Sequence, residues 1–178
     1  NERIAIGQVG LPFTFREPRR RLLANFAVHL TQPSDSTIIY VNEPSEAETV
    51  ASEISELVEP MIEVDVRVRE LMQFLRDNVH PSYPLIECLK HGVAFHYGYM
   101  PEIIRMAIED LVRSGAVRFV CCTSTLLQGV NLPAKNVVIY RPTRGRGQPM
   151  DKGAFWNLAG RAGRLMREYT GNVWCIAP

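Results

Sequence analysis

Five short runs of β-branched, aromatic and other apolar residues restrict the fold of this chain more than any other feature. Each run is nearly continuous in apolar character, which is typical of a strand buried on both faces of a parallel sheet. Stretches with helical patterning lie between them, so strand and helix alternate from about residue 37 onward. This alternation predicts an α/β domain with a mostly parallel sheet that is covered by helices. The five runs are residues 37–41, 93–97, 117–122, 136–140 and 172–177.

The clearest predicted helix covers residues 101–115. Pro101 suits a first helical position, and Gly115 stands just past the expected end. Ser45 and Glu48 have the spacing of a capping box at the start of the helix that follows the first strand. The further predicted helices cover residues 17–30, 43–59, 63–79 and 83–92.

Composition and charge describe an ordinary globular domain. The 178 residues are 46% hydrophobic and 22% charged with a net charge of +1, so bulk charge does not indicate a nucleic-acid-binding protein. No apolar run approaches a membrane span and no leader peptide is visible, which predicts no membrane contact and a cytoplasmic location, or a nuclear one in a eukaryote. The abrupt first and last residues predict a piece of a longer chain. The four cysteines form no C-x-x-C pair, so we expect neither a disulfide framework nor a metal site.

Polar, small or basic residues follow the predicted strands. Open parallel sheets bind ligands in the crevice at the carboxyl ends of their strands. The residues at these ends are therefore the first candidates for a nucleotide or phosphate site. They are Asn42 and Glu43, residues 96–98, residues 123–125 and residues 141–146.

The stretch "NLAGRAGR" sets two arginines beside two glycines near the end of the chain. Arg161 and Arg164 are three residues apart, which would place them on one side of a helix. Two neighbouring guanidiniums suit a polyphosphate, and Gly160 and Gly163 would let another surface approach closely. The alternative is a helix end with Gly163 as its cap and two solvated arginines.

The stretch "TSTLLQGVNLP" follows the third predicted strand. The hydroxyl and N–H groups of Thr123 and Ser124 could hold a phosphate without carrying charge. Gly129 permits an unusual turn or a close ligand approach, and Asn131 could bond a sugar hydroxyl. The alternative is an ordinary connection between two strands.

The stretch "VAFHYGYMP" places His96 near the end of the second strand, before a turn at Gly98. The histidine could meet a phosphate or a base, and Tyr97 and Tyr99 could stack on bases. Alternatively, the histidine is a structural residue and the tyrosines cover the edge of the core. The stretch "RPTRGRGQP", residues 141–149, has either short arginine arms for the DNA minor groove or a flexible solvated loop.

Taken together and in this order, these segments resemble the second RecA-like domain of a superfamily-two helicase. "TIIYVNEPSEAE" resembles motif four, "VAFHYGYMP" the segment after it, "CTSTLLQGVNLPAKNVVI" motif five and "NLAGRAGR" motif six. "GVNLPA" together with "AGRAGR" is similar to the Ski-type branch. The resemblance covers residues 37–178 and leaves 1–36 as a lead-in or interdomain segment. It implies a RecA-like, P-loop NTPase-like fold of three layers.

The resemblance also implies roles for single residues at the nucleotide. Arg161 and Arg164 match the motif-six arginines that reach the γ-phosphate as arginine fingers, and would be the catalytic residues of this chain. Asn157 stands where the family usually has glutamine or histidine. The ATP-binding residues implied in this way are Gly129, Asn131, Asn157 and Gly160.

A second set of residues would contact the nucleic acid. Thr123 and Ser124 match residues that touch its backbone, and His96 and Gly98 lie in the segment after motif four. Backbone contacts carry no base sequence, so the resemblance implies largely sequence-independent binding of DNA or RNA.

The implied activity is that of the C-terminal motor domain of an ATP-dependent helicase or translocase. The chain has no G-x-x-x-x-G-K-[ST] loop and no adjacent acidic pair at a strand end, so ATP and Mg²⁺ would be bound mainly by a missing N-terminal RecA-like domain. The chain alone is then predicted to be inactive. One alternative is a non-enzymatic nucleic-acid-binding module with the same fold. Another is a doubly wound domain that binds a small nucleotide by itself, which the missing glycine fingerprint disfavours.

Overall fold

The computed structural model describes residues 10–11, 18–124, 132, 134–140, 143–144, 148–163 and 171–176. Strands and helices alternate along most of this part of the chain. The helices are α1 (Arg19–Leu30), α2 (Pro44–Leu57), α3 (Val66–Asn78), α4 (Pro84–Lys90), α5 (Glu102–Ser114) and α6 (Lys152–Ala159). The strands are β1 (Thr37–Tyr40), β2 (Val93–His96), β3 (Phe119–Cys122), β4 (Asn136–Tyr140), β5 (Thr143–Arg144), β6 (Gln148–Pro149) and β7 (Asn172–Ile176).

Five of the strands form one parallel sheet in the order β2-β3-β1-β4-β7. Every residue of β1, β2, β3 and β4 is buried, as their continuous apolar runs predict. Strand β7 lies at one edge, and only Ile176 of its residues is buried. The predicted α/β fold with a parallel sheet flanked by helices is confirmed.

Polar side chains set the register at the amino end of the sheet. Asn136 donates a hydrogen bond to Thr37 Oγ1 at 3.3 Å and accepts one from Asn172 at 3.0 Å. Thr37 in turn shares a 2.6 Å bond with Thr31, just after α1. Because buried polar groups are costly without partners, this chain of bonds favours one alignment of β1, β4 and β7.

Helix α1 shares the core of the sheet, although the sequence placed it in a lead-in segment. Leu22, Leu23 and Ala27 are almost fully buried, and the ring of Phe26 meets that of Trp174 on β7 edge to face at 5.8 Å. Helix α1 thus packs with the predicted domain, and the division of the chain at residue 37 stays a prediction.

The local predictions differ in their outcome. Gly115 ends α5 in the left-handed conformation, with φ of 83°, as predicted. The predicted capping box is wrong, because Glu43 precedes the first residue of α2 and Ser45 lies inside the helix. The predicted solvated loop at 141–149 contains the two-stranded ribbon β5–β6, although residues 141–142 and 145–147 lie outside the described part.

No helix in the described part of the chain is long and apolar enough to cross a membrane. The described residues contain no group of three or more histidine, cysteine, aspartate or glutamate side chains that could hold a metal ion.

Candidate functional site

The segment that carries Arg161 lies beyond the end of α6, which corrects the prediction that a helix displays this arginine. Gly160 closes the helix by donating to Trp156 O at 2.8 Å. The chain then pairs with Ala134, which donates to Arg161 O at 2.9 Å and accepts from Gly163 N at 2.8 Å. Gly163 has φ of 103°, which L side chains rarely adopt. The non-local pairing and this glycine together fix the backbone on both sides of Arg161.

The Arg161 side chain is drawn into the molecule rather than displayed on its surface. Only 9% of the residue is exposed. Burial lowers the pKa of the guanidinium, and the thiol of Cys122, at the carboxyl end of β3, partly opposes this shift. The sequence gives no signal of this burial. Arg164 lies outside the described residues.

Two of the predicted ATP-binding residues lie at the carboxyl end of α6. Asn157 and Gly160 are both exposed. A Cβ built on Gly160 would meet only carbonyls of the helix itself, the nearer being Trp156 O at 3.1 Å. Within the described part of the chain, no residue outside this helix contacts that position. Gly129 and Asn131 lie outside the described residues.

The predicted nucleic-acid residues meet at the carboxyl end of the sheet. His96 and Cys122 are aligned in neighbouring strands, and Thr123 N donates to His96 O at 3.3 Å. Thr123 is buried and Ser124 is partly exposed. Gly98 is exposed in the turn that follows β2. The structure thus brings residues 96–98 and 123–124 side by side.

The His96 side chain does not lie on this surface, which corrects its predicted position. The residue is 1% exposed, and its Nε2 lies 3.3 Å from Glu109 Oε1 on α5. Burial lowers the pKa of the imidazole, Glu109 opposes the shift and Arg105 adds to it. Because α5 covers the ring, a direct contact with nucleic acid stays a prediction that the geometry does not favour.

Thr143 lies at this end of the sheet, within residues 141–146 that the sequence predicts as candidates after the fourth strand. Its carbonyl accepts a hydrogen bond from Tyr40 Oη at 3.1 Å, and its hydroxyl accepts one from Asn42 Nδ2 at 2.8 Å. These bonds hold the ribbon β5–β6 against the carboxyl end of β1. The only signal in the sequence is the position of Thr143 just after the fourth strand.

Comparison with known proteins places these residues in a wider context. The family described as "Helicase conserved C-terminal domain" matches residues 69–166, a range that includes His96, Thr123 and Arg161. The chain is 32% identical over 142 residues to "Anti-bacteriophage protein B" of Escherichia coli (strain K12), covering 80% of this chain and 19% of that protein.

Two further relatives carry helicase names. The chain is 32% identical over 149 residues to "Helicase POLQ-like" of Caenorhabditis elegans, with 81% of this chain and 16% of the relative covered. It is 41% identical over 96 residues to "ATP-dependent DNA helicase Hel308" of Aeropyrum pernix, covering 52% of this chain and 13% of that protein. The chain thus spans less than about a fifth of the length of these relatives.

Proposed function

The chain belongs to the helicase conserved C-terminal domain family of superfamily two, and from this we propose that it is the C-terminal motor domain of an ATP-dependent DNA or RNA helicase or translocase. Its ATP site would be completed by an N-terminal RecA-like domain of the same protein. That other domain would also supply the groups that hold Mg²⁺. By itself the chain would not hydrolyse ATP.

The observation that carries this proposal is the way Arg161 is held. Two backbone bonds to Ala134 and the unusual backbone of Gly163 fix its segment before any ligand arrives. A preorganised cation in a site of low dielectric stabilises the charge of a phosphoryl-transfer transition state more strongly than a solvated one. Burial also destabilises the guanidinium charge, so an approaching polyphosphate would relieve part of that cost.

The exposed groups next to this segment support the same role. Asn157 is exposed near the end of α6, and a Cβ built on Gly160 would meet only carbonyls of that helix. ATP would lie in a cleft between this chain and the other domain. A nucleotide held by the other domain would reach the end of α6 when this cleft closes. Closure would shift the two domains along the nucleic acid, so that repeated hydrolysis becomes translocation.

The nucleic-acid surface of the proposal lies at the carboxyl end of β2 and β3. Ser124 and Gly98 are the accessible predicted residues there, and the bond from Thr123 N to His96 O keeps their segments together. Small polar groups and backbone N–H groups bind phosphates without reading bases. Binding would therefore be largely independent of sequence.

Substitution of Arg161 in the full-length protein tests the proposal. In Arg161→Ala we expect nucleic-acid-stimulated ATP turnover to fall by about 10³–10⁵-fold, the contribution of an arginine finger. Arg161→Lys should recover little, because an ammonium lacks the forked geometry. Turnover is measured by steady-state ATPase assays, and ATP binding by equilibrium titration with a non-hydrolysable analogue, which should be nearly unchanged.

Arg67→Ala is the matched control, since Arg67 is an exposed arginine that pairs with Asp65 at the start of α3. It should retain normal turnover. Near-normal turnover in Arg161→Ala would contradict the arginine-finger role. Tight, salt-sensitive nucleic-acid binding without any ATPase activity in the unmodified full-length protein would instead favour the non-enzymatic binding module.

A further inference from the structure

The turn after β2 presents one aromatic side chain to solvent between two residues that are anchored in the fold. Tyr97 donates a hydrogen bond to Glu48, and its ring stacks on Phe95 at 5.9 Å with the planes 2° apart. Met100 is 4% exposed, and its N–H closes the turn on Tyr97 O at 3.2 Å. Between them, Tyr99 is 92% exposed. The ring is therefore displayed from a backbone that is tied down on both sides.

The position of this ring is defined by the two strands beside it. Tyr99 follows His96 by three residues, and the His96 carbonyl accepts the N–H of Thr123. The turn thus lies next to Thr123 and Ser124, the residues of the proposed backbone contact. Among the described residues, β2 is also an edge strand of the sheet, and none of their strands lies beyond the turn.

We propose that Tyr99 is a stacking platform for one base of the single-stranded nucleic acid whose backbone lies on Ser124 and Gly98. This rests on the proposed function. An exposed aromatic ring beside a backbone-binding groove is the arrangement with which proteins hold single strands without reading their sequence. Glu102, exposed at the start of α5, stands close along the chain and would repel a phosphate, so the neutral base is the better partner for this ring.

The surroundings of Tyr97 differ from those of Tyr99. Tyr97 is half-buried, and burial together with the Glu48 carboxylate raises the pKa of its hydroxyl. One face of its ring stacks on Phe95. Of the two tyrosines that the sequence offers for stacking, Tyr99 is therefore the one whose ring is almost fully exposed.

Binding of a single-stranded oligonucleotide to the full-length protein tests this inference. With a non-hydrolysable ATP analogue present, Tyr99→Ala should weaken binding of mixed-sequence DNA or RNA by about 5- to 150-fold, the loss equivalent to about 1–3 kcal/mol for one stacked base. Tyr99→Phe and Tyr99→Trp should bind nearly as the unmodified protein does, because both keep an aromatic face. Fluorescence anisotropy of a labelled oligonucleotide gives the dissociation constants.

An abasic oligonucleotide gives the decisive comparison. Without bases to stack, Tyr99→Ala should bind as tightly as the unmodified protein, whereas Ser124→Ala should still bind more weakly because its partner is the backbone. A Tyr99→Ala loss that persists on the abasic strand would overturn the stacking role. So would equal losses in Tyr99→Ala and Tyr99→Phe.

Ile62→Ala is the matched control for removing an exposed apolar side chain. Ile62 is fully exposed, and Met61 N donates to Lys90 O near the amino end of β2, at the end of the strand opposite to Tyr99. The affinity of the Ile62→Ala variant for the oligonucleotide should not change. If Ser124→Ala and Arg161→Ala lose function while Tyr99→Ala does not, the stacking inference alone fails; if none of the three has an effect, the proposed function fails.

Discussion

Gly115 follows the last residue of helix α5 and Gly160 follows that of helix α6, yet the two glycines meet different demands. Gly115 has φ of 83° and caps its helix in the left-handed region, so the backbone itself requires glycine. Gly160 has φ of −66° and ψ of −4°, which any residue adopts. Three residues later Gly163 has φ of 103°. The backbone thus requires glycine at positions 115 and 163 but not at 160, where we propose that the missing side chain serves the nucleotide site.

The two helices can also be compared by the side chains that they bury and expose. α5 buries Ile104, Ile108, Leu111 and Val112. The shorter α6 buries only Ala154 and Leu158, and its Trp156 is 70% exposed. Both helices expose large apolar side chains, which are Ile103 and Met106 on α5 and Trp156 on α6. We propose that the N-terminal domain lies opposite α6, where it would cover the Trp156 ring.

Among the three glycines, the largest effect on stability is expected for Gly163→Ala. A Cβ at φ of 103° forces strain of about 1–3 kcal/mol or a shift of the backbone. The shift would disturb the bonds between Ala134 and the Arg161 segment. We expect the free energy of unfolding of the chain to fall by that amount in urea denaturation, and the ATPase rate of the full-length protein to fall with it. An unchanged ATPase rate would mean that the position of Arg161 does not depend on this glycine.

A smaller effect on stability is expected for Gly115→Ala. The left-handed conformation costs a residue with a Cβ about 1–2 kcal/mol, and no atom lies within 4 Å of a Cβ built there, so strain is the only contribution. Urea denaturation should show this loss of stability. ATP turnover should remain normal under conditions where the protein is folded, and a selective loss of turnover would contradict the purely structural role of Gly115.

The smallest effect on stability is expected for Gly160→Ala. Its backbone suits alanine, so the free energy of unfolding should change by less than about 0.5 kcal/mol. The added methyl group would instead occupy space that the proposed nucleotide needs, so ATP turnover should fall while stability does not. Gly153→Ala, at the other end of α6, is the control and should leave turnover unchanged. Equal turnover in both variants would remove the argument that Gly160 provides space.

Much of the fold was predictable because its signals are local. The apolar runs gave the strands of the main sheet to within about two residues, since a strand buried on both faces needs a continuous apolar stretch. The helix from residue 101 was recognised from its periodicity and from Gly115 at its end. The capping box failed because Ser45 and Glu48 satisfy a spacing rule that takes no account of where the helix begins.

The candidate site was less predictable. Arg161 was expected on a helix because the sequence up to it is helical, but its backbone pairs instead with Ala134, a partner far away in the chain. His96 was expected at a surface because it ends a strand, but α5 covers it with Glu109. Such contacts join distant segments, and a spacing pattern within one segment carries no information about them.

The sequence by itself determined the alternation of strands and helices, the resemblance of four ordered segments to a helicase domain, and the glycine at the end of α5. These features depend on periodicity and on the conformational preferences of single residues. Only the tertiary structure decided the strand order β2-β3-β1-β4-β7, the burial of Arg161 and His96, and the exposure of Tyr99 rather than Tyr97. The physical reason is that the burial of a side chain depends on which distant elements pack against it.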